Sequence, residues 1–311
     1  MVKSTRKMSQ INKLKLISFI LGCLLFGLDA KAQTYDKNSP RGLYTYDFGG
    51  LEKMEVETIF KTLTDLNYAG IVVNGRGESA LKRLDKYLEL SEKNGENFEV
   101  YAAYLAHRFD KYGFSDADHR AAIDHIAGKG IDLWVWCKDK NQDGSITDEK
   151  VEHWIQGIVD YAASKNVKVI LYSHYGTYFL TALDALKLVE KINSPFLGLS
   201  INLSHELRSD KGPILEETFE KSKNHISTII ISGSNIELDR TSLGTMNTST
   251  VKSLEKSEYD LIPFMKLTKK YGSEVPLGFI NFKMSEDPKI YLKNTMDRWI
   301  ELCNEVGLYE N

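Results

Sequence analysis

From Arg41 onward the chain repeats one unit eight times: an apolar run of strand length followed by a helical pattern. The strand-like runs begin near residues 42, 70, 98, 131, 167, 196, 226 and 275, and no Pro- or Ser-rich linker interrupts them. Between Val167 and His205, the runs VKVILYSH and FLGLSINLSH flank TALDALKLVEKIN, whose apolar residues recur at three- and four-residue spacing. This order indicates a βαβ unit with buried strands. Eight such units in about 270 residues predict one closed (β/α)8 TIM barrel rather than a doubly wound open sheet.

The first 32 residues have the pattern of an export signal. Basic residues from Lys3 to Lys15 precede an apolar stretch over Leu16 to Leu28, and Ala30-Lys31-Ala32 offers the small residues that a signal peptidase reads. The sequence therefore predicts a signal peptide over 1–32, a short tail over 33–40, a barrel over 41–311 and an exported protein, periplasmic or secreted. Residues 20–23 resemble a lipobox, but the apolar stretch continues beyond Cys23, which favours cleavage after Ala32 over a lipoprotein.

The net charge of the chain limits the kinds of partner that it can bind. Removal of residues 1–32 leaves 34 basic and 42 acidic residues, against 40 and 43 in the full sequence. A mildly acidic chain has little attraction for phosphodiester backbones, so nucleic acid is not an expected partner. Because no second apolar run follows the first, the sequence predicts no membrane-spanning segment in the mature chain.

Cys137 and Cys303 are expected to be packed thiols rather than a disulfide.

Polar and aromatic residues stand where the predicted strands end, which is where parallel barrels hold their active sites. The candidates for substrate contact are Asp47, Asn74, Arg76, Tyr104, His107, Trp136, Tyr172, Asn202, Ser232 and Asn281. Aromatic platforms with amide, hydroxyl and imidazole donors suit a sugar, which has apolar C–H faces and a rim of hydroxyls. Trp136 is equally consistent with a core position, and Asp47 with a helix cap. Because paired carboxylates are missing at the strand ends, a glycoside hydrolase is not favoured.

The motifs LYSHYG, LGLSINLSH and GFINFKM, in this order, resemble the xylose isomerase-like sugar phosphate isomerase/epimerase barrels, with a likeness from Arg41 to Val306. The resemblance implies isomerase, epimerase or keto-sugar lyase chemistry. It also implies a divalent metal held by Glu, Asp, His and Glu at the ends of strands five to eight. The matching positions here are Tyr172, Asn202, Ser232 and Asn281, which are neutral at pH 7, so we expect no transition metal at this centre.

Chemistry next to a sugar carbonyl without a metal needs a base for a carbon-bound proton and a donor that stabilises the enolate. His174 and His205, at the ends of neighbouring strands, are the candidates for this pair, with Lys283 as an electrostatic partner. Structural roles for the two histidines and a solvated rim position for Lys283 are the alternatives, so a catalytically inactive barrel that only binds a glycan or a partner protein stays open. Four other histidines are expected at the surface: His119, His125, His153 and His225.

The segment DKNQDGSITDEK, after the fourth strand, has the order of a calcium loop. Asp139, Asn141 and Asp143 are its weak candidate ligands, ahead of a glycine turn. Lys150 occupies the twelfth position, where a bidentate Glu closes the calcium shell. A polar turn with Thr147 capping the next helix is the other interpretation, and both stay open.

Overall fold

The computed structural model describes residues 42–95, 97–138, 143–235 and 251–309. Eight parallel strands pair in chain order, and β8 pairs with β1, so the sheet closes into a barrel. The strands are β1 (Tyr44–Tyr46), β2 (Gly70–Asn74), β3 (Glu99–Arg108), β4 (Asp132–Lys138), β5 (Val169–Leu171), β6 (Leu197–Asn202), β7 (Ile226–Ile231) and β8 (Leu277–Phe279). The predicted (β/α)8 barrel is confirmed. The proposed signal peptide and the tail over 33–40 lie outside the described residues.

The described residues form ten α-helices around this barrel. They are α1 (Val56–Asp65), α2 (Glu78–Asn94), α3 (Phe109–Tyr112), α4 (Ala117–Ile126), α5 (Asp148–Ser164), α6 (Ala182–Ile192), α7 (Leu203–Arg208), α8 (Leu215–Ser222), α9 (Ile262–Gly272) and α10 (Pro288–Val306). Two helices exceed the predicted eight because short helices, α3 and α7, follow β3 and β6 directly. Helix α7 therefore lies at the carboxyl end of the barrel.

Local sequence sets the starts of the helices. Thr181 begins α6 with a capping box, in which its side chain accepts a hydrogen bond from the backbone N–H of Asp184 and the Asp184 carboxylate accepts one from the N–H of Thr181. Thr147 caps α5 as predicted, and Asp287 caps α10 ahead of Pro288. Helix α4 begins directly after Asp116.

The barrel separates two apolar cores. The outer core lies between strands and helices and is mainly aliphatic. The inner core is rich in aromatic residues, with Tyr44, Tyr46, Trp134 and Tyr172 among its members. The rings of Tyr44 and Trp134 have centroids 5.6 Å apart although β1 and β4 are not neighbours, so this contact crosses the barrel. The interior is thus packed with side chains, as in other closed parallel barrels of eight strands.

Cys137 and Cys303 are buried free thiols, which confirms that they are packed rather than bridged. Within the described ranges, no helix combines the length and the apolar character that crossing a bilayer requires.

Candidate functional site

The imidazoles of His174 and His205 lie in contact at the carboxyl ends of β5 and β6. Their ring centroids are 4.0 Å apart and their planes differ by 38°. His174 lies in the loop between β5 and α6, and His205 lies on α7. Hydrogen bonds between the two strand ends support this arrangement, since the backbone N–H of Ser173 donates to Ser200 Oγ at 3.3 Å and Ser173 Oγ donates to the Ser200 carbonyl at 3.2 Å. We call these two side chains the histidine pair.

His174 has a defined tautomer. Its Nδ1 lies 2.7 Å from the backbone oxygen of Tyr175, and because a carbonyl only accepts, Nδ1 carries the proton. Burial, with the positive charges of Lys138 and Arg208, lowers the pKa of His174 to about 4. The ring is therefore neutral at pH 7, and Nε2 carries a lone pair that can accept a proton.

His205 is fully buried, and neither of its ring nitrogens has a hydrogen-bond partner among the described residues. Burial holds the pKa of His205 well below its usual range, and the nearby His174 and Arg208 lower it further. A buried imidazole without a partner is costly, so a hydroxyl or water that supplied one would be bound favourably.

Trp136 covers the histidine pair from β4. Its indole stacks on His174 with centroids 5.2 Å apart and planes within 16° of parallel. The indole N–H donates to the hydroxyl of Tyr104, which comes from β3. Burial raises the pKa of Tyr104, so this hydroxyl stays protonated. Trp136 and Tyr104 form an aromatic wall of the type that packs against the C–H face of a sugar.

Tyr172 and Asn202 form the floor below the pair. The amide Nδ2 of Asn202 donates to the hydroxyl of Tyr172 at 2.7 Å. The ring of Tyr172 meets that of His205 edge-on, with centroids 6.0 Å apart. Burial raises the pKa of Tyr172, which keeps its hydroxyl neutral. The predicted residues Tyr104, Trp136, Tyr172, His174, Asn202 and His205 are thus assembled into one cluster.

Two cationic side chains give the pair a positive field. Arg208, on α7, is 1% exposed, and its guanidinium carbon lies 4.5 Å from the ring centroid of Tyr175. Lys138 ends β4. Both charges lower the pKa of His174. The same field stabilises negative charge that develops on a bound ligand.

Asp47, a predicted substrate contact, is bound by Arg83. Its Oδ1 accepts a hydrogen bond from Arg83 Nη2 at 2.9 Å, and its Oδ2 accepts one from Nε. The Asp47 side chain is only 3% exposed. Arg83 also donates to the backbone oxygens of Leu51 and Met54. The carboxylate therefore joins the segment after β1 to α2.

Asn74 and Arg76 are held by the turn after β2. The side-chain oxygen of Asn74 accepts from the backbone N–H of Arg76 at 2.8 Å. The guanidinium of Arg76 pairs with Asp118, donates to the carbonyl of Ala106 at 2.7 Å and lies over the ring of Tyr112. These contacts connect the turn after β2 to β3 and to the segments that follow β3.

His107 lies on the outer side of β3, between the barrel and its helices. Its ring is 4.2 Å from that of Trp154 and 5.3 Å from that of His119, and its Nε2 lies 2.8 Å from the carbonyl oxygen of Gly113. His119 is fully buried, so its predicted surface position was wrong. It belongs to the buried face of α4 with Ala122, Ile123 and Ile126, a spacing that carries it into the core.

The remaining candidates lie at β7 and β8. Ser232 is fully buried, and its hydroxyl has no partner among the described residues. Asn281 Nδ2 lies 3.1 Å from the carbonyl of Tyr46 and 2.7 Å from that of Phe48, so this amide ties β8 to the end of β1. Lys283 is exposed on the rim, with its ammonium 5.5 Å from the Phe282 ring centroid.

The positions that match the metal ligands of the resembled family do not fit a dication. The Tyr172 hydroxyl accepts from Asn202, whose Oδ1 in turn accepts from the N–H and hydroxyl of Ser204. The Nδ2 of Asn281 donates to backbone carbonyls, and its Oδ1, which has no partner among the described residues, is a neutral oxygen. None of these groups carries the negative charge that offsets a buried dication. Across the parts of the chain that the structure describes, no group of three or more His, Cys, Asp or Glu side chains is placed to hold a metal ion.

The calcium-loop candidates are only partly covered, since Asp139 and Asn141 lie outside the described residues. Asp143 is exposed, and its carboxylate accepts from the N–H of Ser145 at 2.8 Å, as in a polar turn. The ammonium of Lys150 donates to the carbonyl of Ser145 at 2.8 Å. The described residues do not decide between a calcium loop and a polar turn, and the contacts of Asp143 and Lys150 favour the turn.

Glu206 is a residue near the histidine pair that the sequence analysis did not single out. It is fully buried on α7, and its Oε1 accepts a hydrogen bond from the backbone N–H of Ala182 at 2.7 Å. The available signal was the pair of charged residues Glu206 and Arg208, directly after the SH of the strand-six motif. A groove of about 570 Å³ between α1 and α10 includes none of the candidate residues.

Comparison with known proteins supports the fold. No model of a known protein family matches this sequence, and no curated protein matches it. A xylose isomerase domain containing protein from Salmonella typhimurium LT2 is similar, with a TM-score of 0.63 at 14% identity over 85% of this chain and 98% of that one. The IolI protein with a bound zinc atom is similar with a TM-score of 0.60 at 16% identity, over 86% of this chain and 96% of that one. The 3-keto-D-glucoside 4-epimerase from E. coli is similar with a TM-score of 0.60 at 11% identity, over 80% of this chain and 94% of that one.

At these identities the likeness establishes the fold. The chain has the fold of the xylose isomerase-like TIM barrels, which confirms the resemblance read from its sequence motifs.

Proposed function

We propose that this chain is an exported barrel that acts on a carbohydrate at the histidine pair, as a sugar isomerase, epimerase or keto-sugar lyase that works without a divalent metal. The observation that carries the proposal is the contact between two neutral imidazoles, His174 and His205, 4.0 Å apart under an aromatic wall. A small sugar is the expected partner, and nucleic acid is not.

The chemistry follows from the protonation states. Nε2 of His174 accepts the proton when a C–H bond next to the sugar carbonyl breaks, and the electron pair moves to the carbonyl oxygen as an enolate. Lys138 and Arg208 stabilise that charge. Return of the proton to the same carbon from the other face yields an epimer. Its delivery to the former carbonyl carbon, with transfer of the adjacent hydroxyl proton to the enolate oxygen, yields an isomer, and its donation from the His174 imidazolium to a departing β-hydroxyl releases water and yields a lyase product. His205 is the second proton-transfer group.

The similar E. coli protein is a 3-keto-D-glucoside 4-epimerase, and its activity supports a sugar carbonyl as the reacting group here. The donor set at Tyr172, Asn202, Ser232 and Asn281 supports a reaction that does not rely on a dication held at these positions. The cleavable-signal pattern of residues 1–32 supports export.

The test is proton exchange at carbon. The protein is incubated in deuterium oxide with D-glucose, D-fructose, D-xylose and a 3-keto-D-glucoside, with and without a chelator, and NMR follows loss of carbon-bound hydrogen. We expect exchange on at least one sugar, unchanged by chelator, and a fall of about 100-fold or more in His174→Gln and in His205→Gln. His153→Gln, which changes an exposed histidine on α5, is the control and keeps its rate. Exchange that chelator abolishes, or that both pair variants retain, contradicts the proposal.

A binding-only barrel is the second candidate, and burial favours it. His205 and Asn202 are fully buried and Tyr172 is 2% exposed, so a ligand reaches the outer part of the cluster, at Trp136 and His174, more readily than its floor. Calorimetric binding of one of these sugars or a glycan without exchange at carbon, weakened in Trp136→Ala, would establish this function instead.

A further inference from the structure

The carboxylate of Glu206 connects the two segments that carry the histidine pair. Glu206 follows His205 on α7, and its Oε1 accepts from the N–H of Ala182, the first residue of α6. His174 lies in the loop that leads into α6. The hydrogen bond between Glu206 and Ala182 therefore links the segment that carries His174 to the helix that carries His205. A weaker tie runs beside it, from the hydroxyl of Ser209 to the carbonyl of Leu180 at 3.4 Å.

Glu206 is also an incompletely satisfied acid. The side chain is fully buried, and Oε2 has no hydrogen-bond partner among the described residues. Burial raises the pKa of Glu206 to about 7, the negative charge of Asp184 on α6 raises it, and the Ala182 N–H and Lys211 lower it. Asp184 is itself engaged by its capping box with Thr181. The proposed proton-transfer chemistry does not use this carboxylate.

We propose that Glu206 is a positioning residue whose ionised carboxylate holds the N-terminus of α6 against α7 and thereby sets the contact between His174 and His205. An ionised acceptor makes a stronger hydrogen bond than a neutral one, and the N-terminus of a helix favours negative charge. Protonation removes this charge and adds an O–H group to a buried site. The hydrogen bond from the Ala182 N–H is strong when Glu206 is ionised, above about pH 7, and it weakens as the pH falls through that value.

The test follows the rings of the histidine pair by NMR in the full chain, with signals assigned by His174→Gln and His205→Gln. The pKa of His174 is about 4 and that of His205 is well below its usual range, so neither ring itself titrates near pH 7. We expect the signals of both rings to shift with pH, with a midpoint near pH 7 that reports the titration of Glu206. Glu206→Gln keeps an acceptor for the Ala182 N–H and removes the midpoint, whereas Glu217→Gln, which changes an exposed glutamate on α8, keeps it.

A second variant breaks the same contact from the donor side. Ala182→Pro removes the N–H at the first position of α6, where proline is tolerated, and leaves the carboxylate in place. Without that donor the charged form of Glu206 is less stable, so the midpoint moves to higher pH. A midpoint that persists in Glu206→Gln, that does not move in Ala182→Pro, or that is absent from the unmodified protein would overturn the proposal.

This inference deepens the proposed function, because it concerns the geometry of the same site, but the ring titration needs no sugar. If the titration behaves as expected while no sugar exchanges, the positioning role stands and the proposed reaction fails. If exchange occurs, its rate falls below about pH 7 in the unmodified protein, and Glu206→Gln abolishes this acid limb.

Discussion

The carboxylate of Asp47 is paired with the guanidinium of Arg83, with Oδ1 2.9 Å from Nη2 and the Asp47 side chain 3% exposed. This pair fixes the segment after β1 to α2. Because Arg83 also binds the backbone of Leu51 and Met54, Asp47 has a structural role in this arrangement. Removal of either partner leaves the other incompletely satisfied.

We therefore expect Asp47→Ala to lower the free energy of unfolding by about 2–4 kcal/mol, because a partly buried guanidinium loses its counter-ion. Urea denaturation monitored by circular dichroism measures this change. Lys61→Ala removes a pair with Asp65 whose side chains are 75% and 59% exposed, and it is expected to cost no more than about 1 kcal/mol. Equal effects of the two substitutions would contradict a structural role for Asp47.

The buried His119 makes stability depend on pH. Burial lowers the pKa of His119 to about 3, whereas an unfolded histidine titrates near 6.5. Between these values the unfolded chain binds a proton that the folded chain does not bind. The free energy of unfolding is therefore unaffected by this group above about pH 6.5. It decreases as the pH falls below that value, by up to about 1.4 kcal/mol per pH unit from this one group.

His119→Phe keeps a ring of similar size and removes the titration, so the slope of unfolding free energy against pH between 4 and 6 should fall by about one proton. Denaturant unfolding at several pH values gives this slope. His153→Phe, at an exposed position, should leave the slope as it is. An unchanged slope in His119→Phe would show that this imidazole is not held neutral by the fold.

Tyr172→Phe removes the hydroxyl that accepts from Asn202 at 2.7 Å. The buried Nδ2 of Asn202 then lacks its acceptor, and we expect a loss of about 1–3 kcal/mol in the free energy of unfolding. Tyr161→Phe removes an exposed hydroxyl that binds Asp124, and it should lower the free energy of unfolding less than Tyr172→Phe does. Thermal and urea unfolding compare the two, and a neutral Tyr172→Phe would mean that the amide finds another partner.

The loop after β4 is tested by calcium. Lys150 places an ammonium on the carbonyl of Ser145, at the position where a calcium shell needs a carboxylate, and Asp143 binds the backbone of its own turn. We expect millimolar calcium to leave the melting temperature unchanged. A rise in melting temperature that Asp143→Asn abolishes would establish the calcium site instead.

The barrel was predictable from sequence because the periodicity of each βα unit is a local property. Thr147 also marked its helix start correctly, since a cap depends only on the next few residues. The contact of His174 with His205 followed from the rule that neighbouring parallel strands end at the same face.

Other features depend on partners distant in the chain. Asp47 stands at a strand end like a ligand-binding residue, but Arg83, 36 residues later, binds it. Asn281 is bound by the backbone oxygens of Tyr46, which ends β1, and of Phe48, which follows it, 235 and 233 residues away. His119 shares the apolar spacing of α4, and this local signal was overlooked. Glu206 acquires its role only through Ala182 on another helix.

The most direct measurement of the central claim is histidine NMR during sugar addition. The sugar that exchanges or binds in the panel is titrated into the labelled full chain at pH 7.5, and the ring signals are followed. The account predicts that His174 and His205 shift with a common saturation curve, while His125, His153 and His225 stay unchanged. Saturable binding that leaves both members of the histidine pair unshifted, or that shifts only the other histidines, would contradict it.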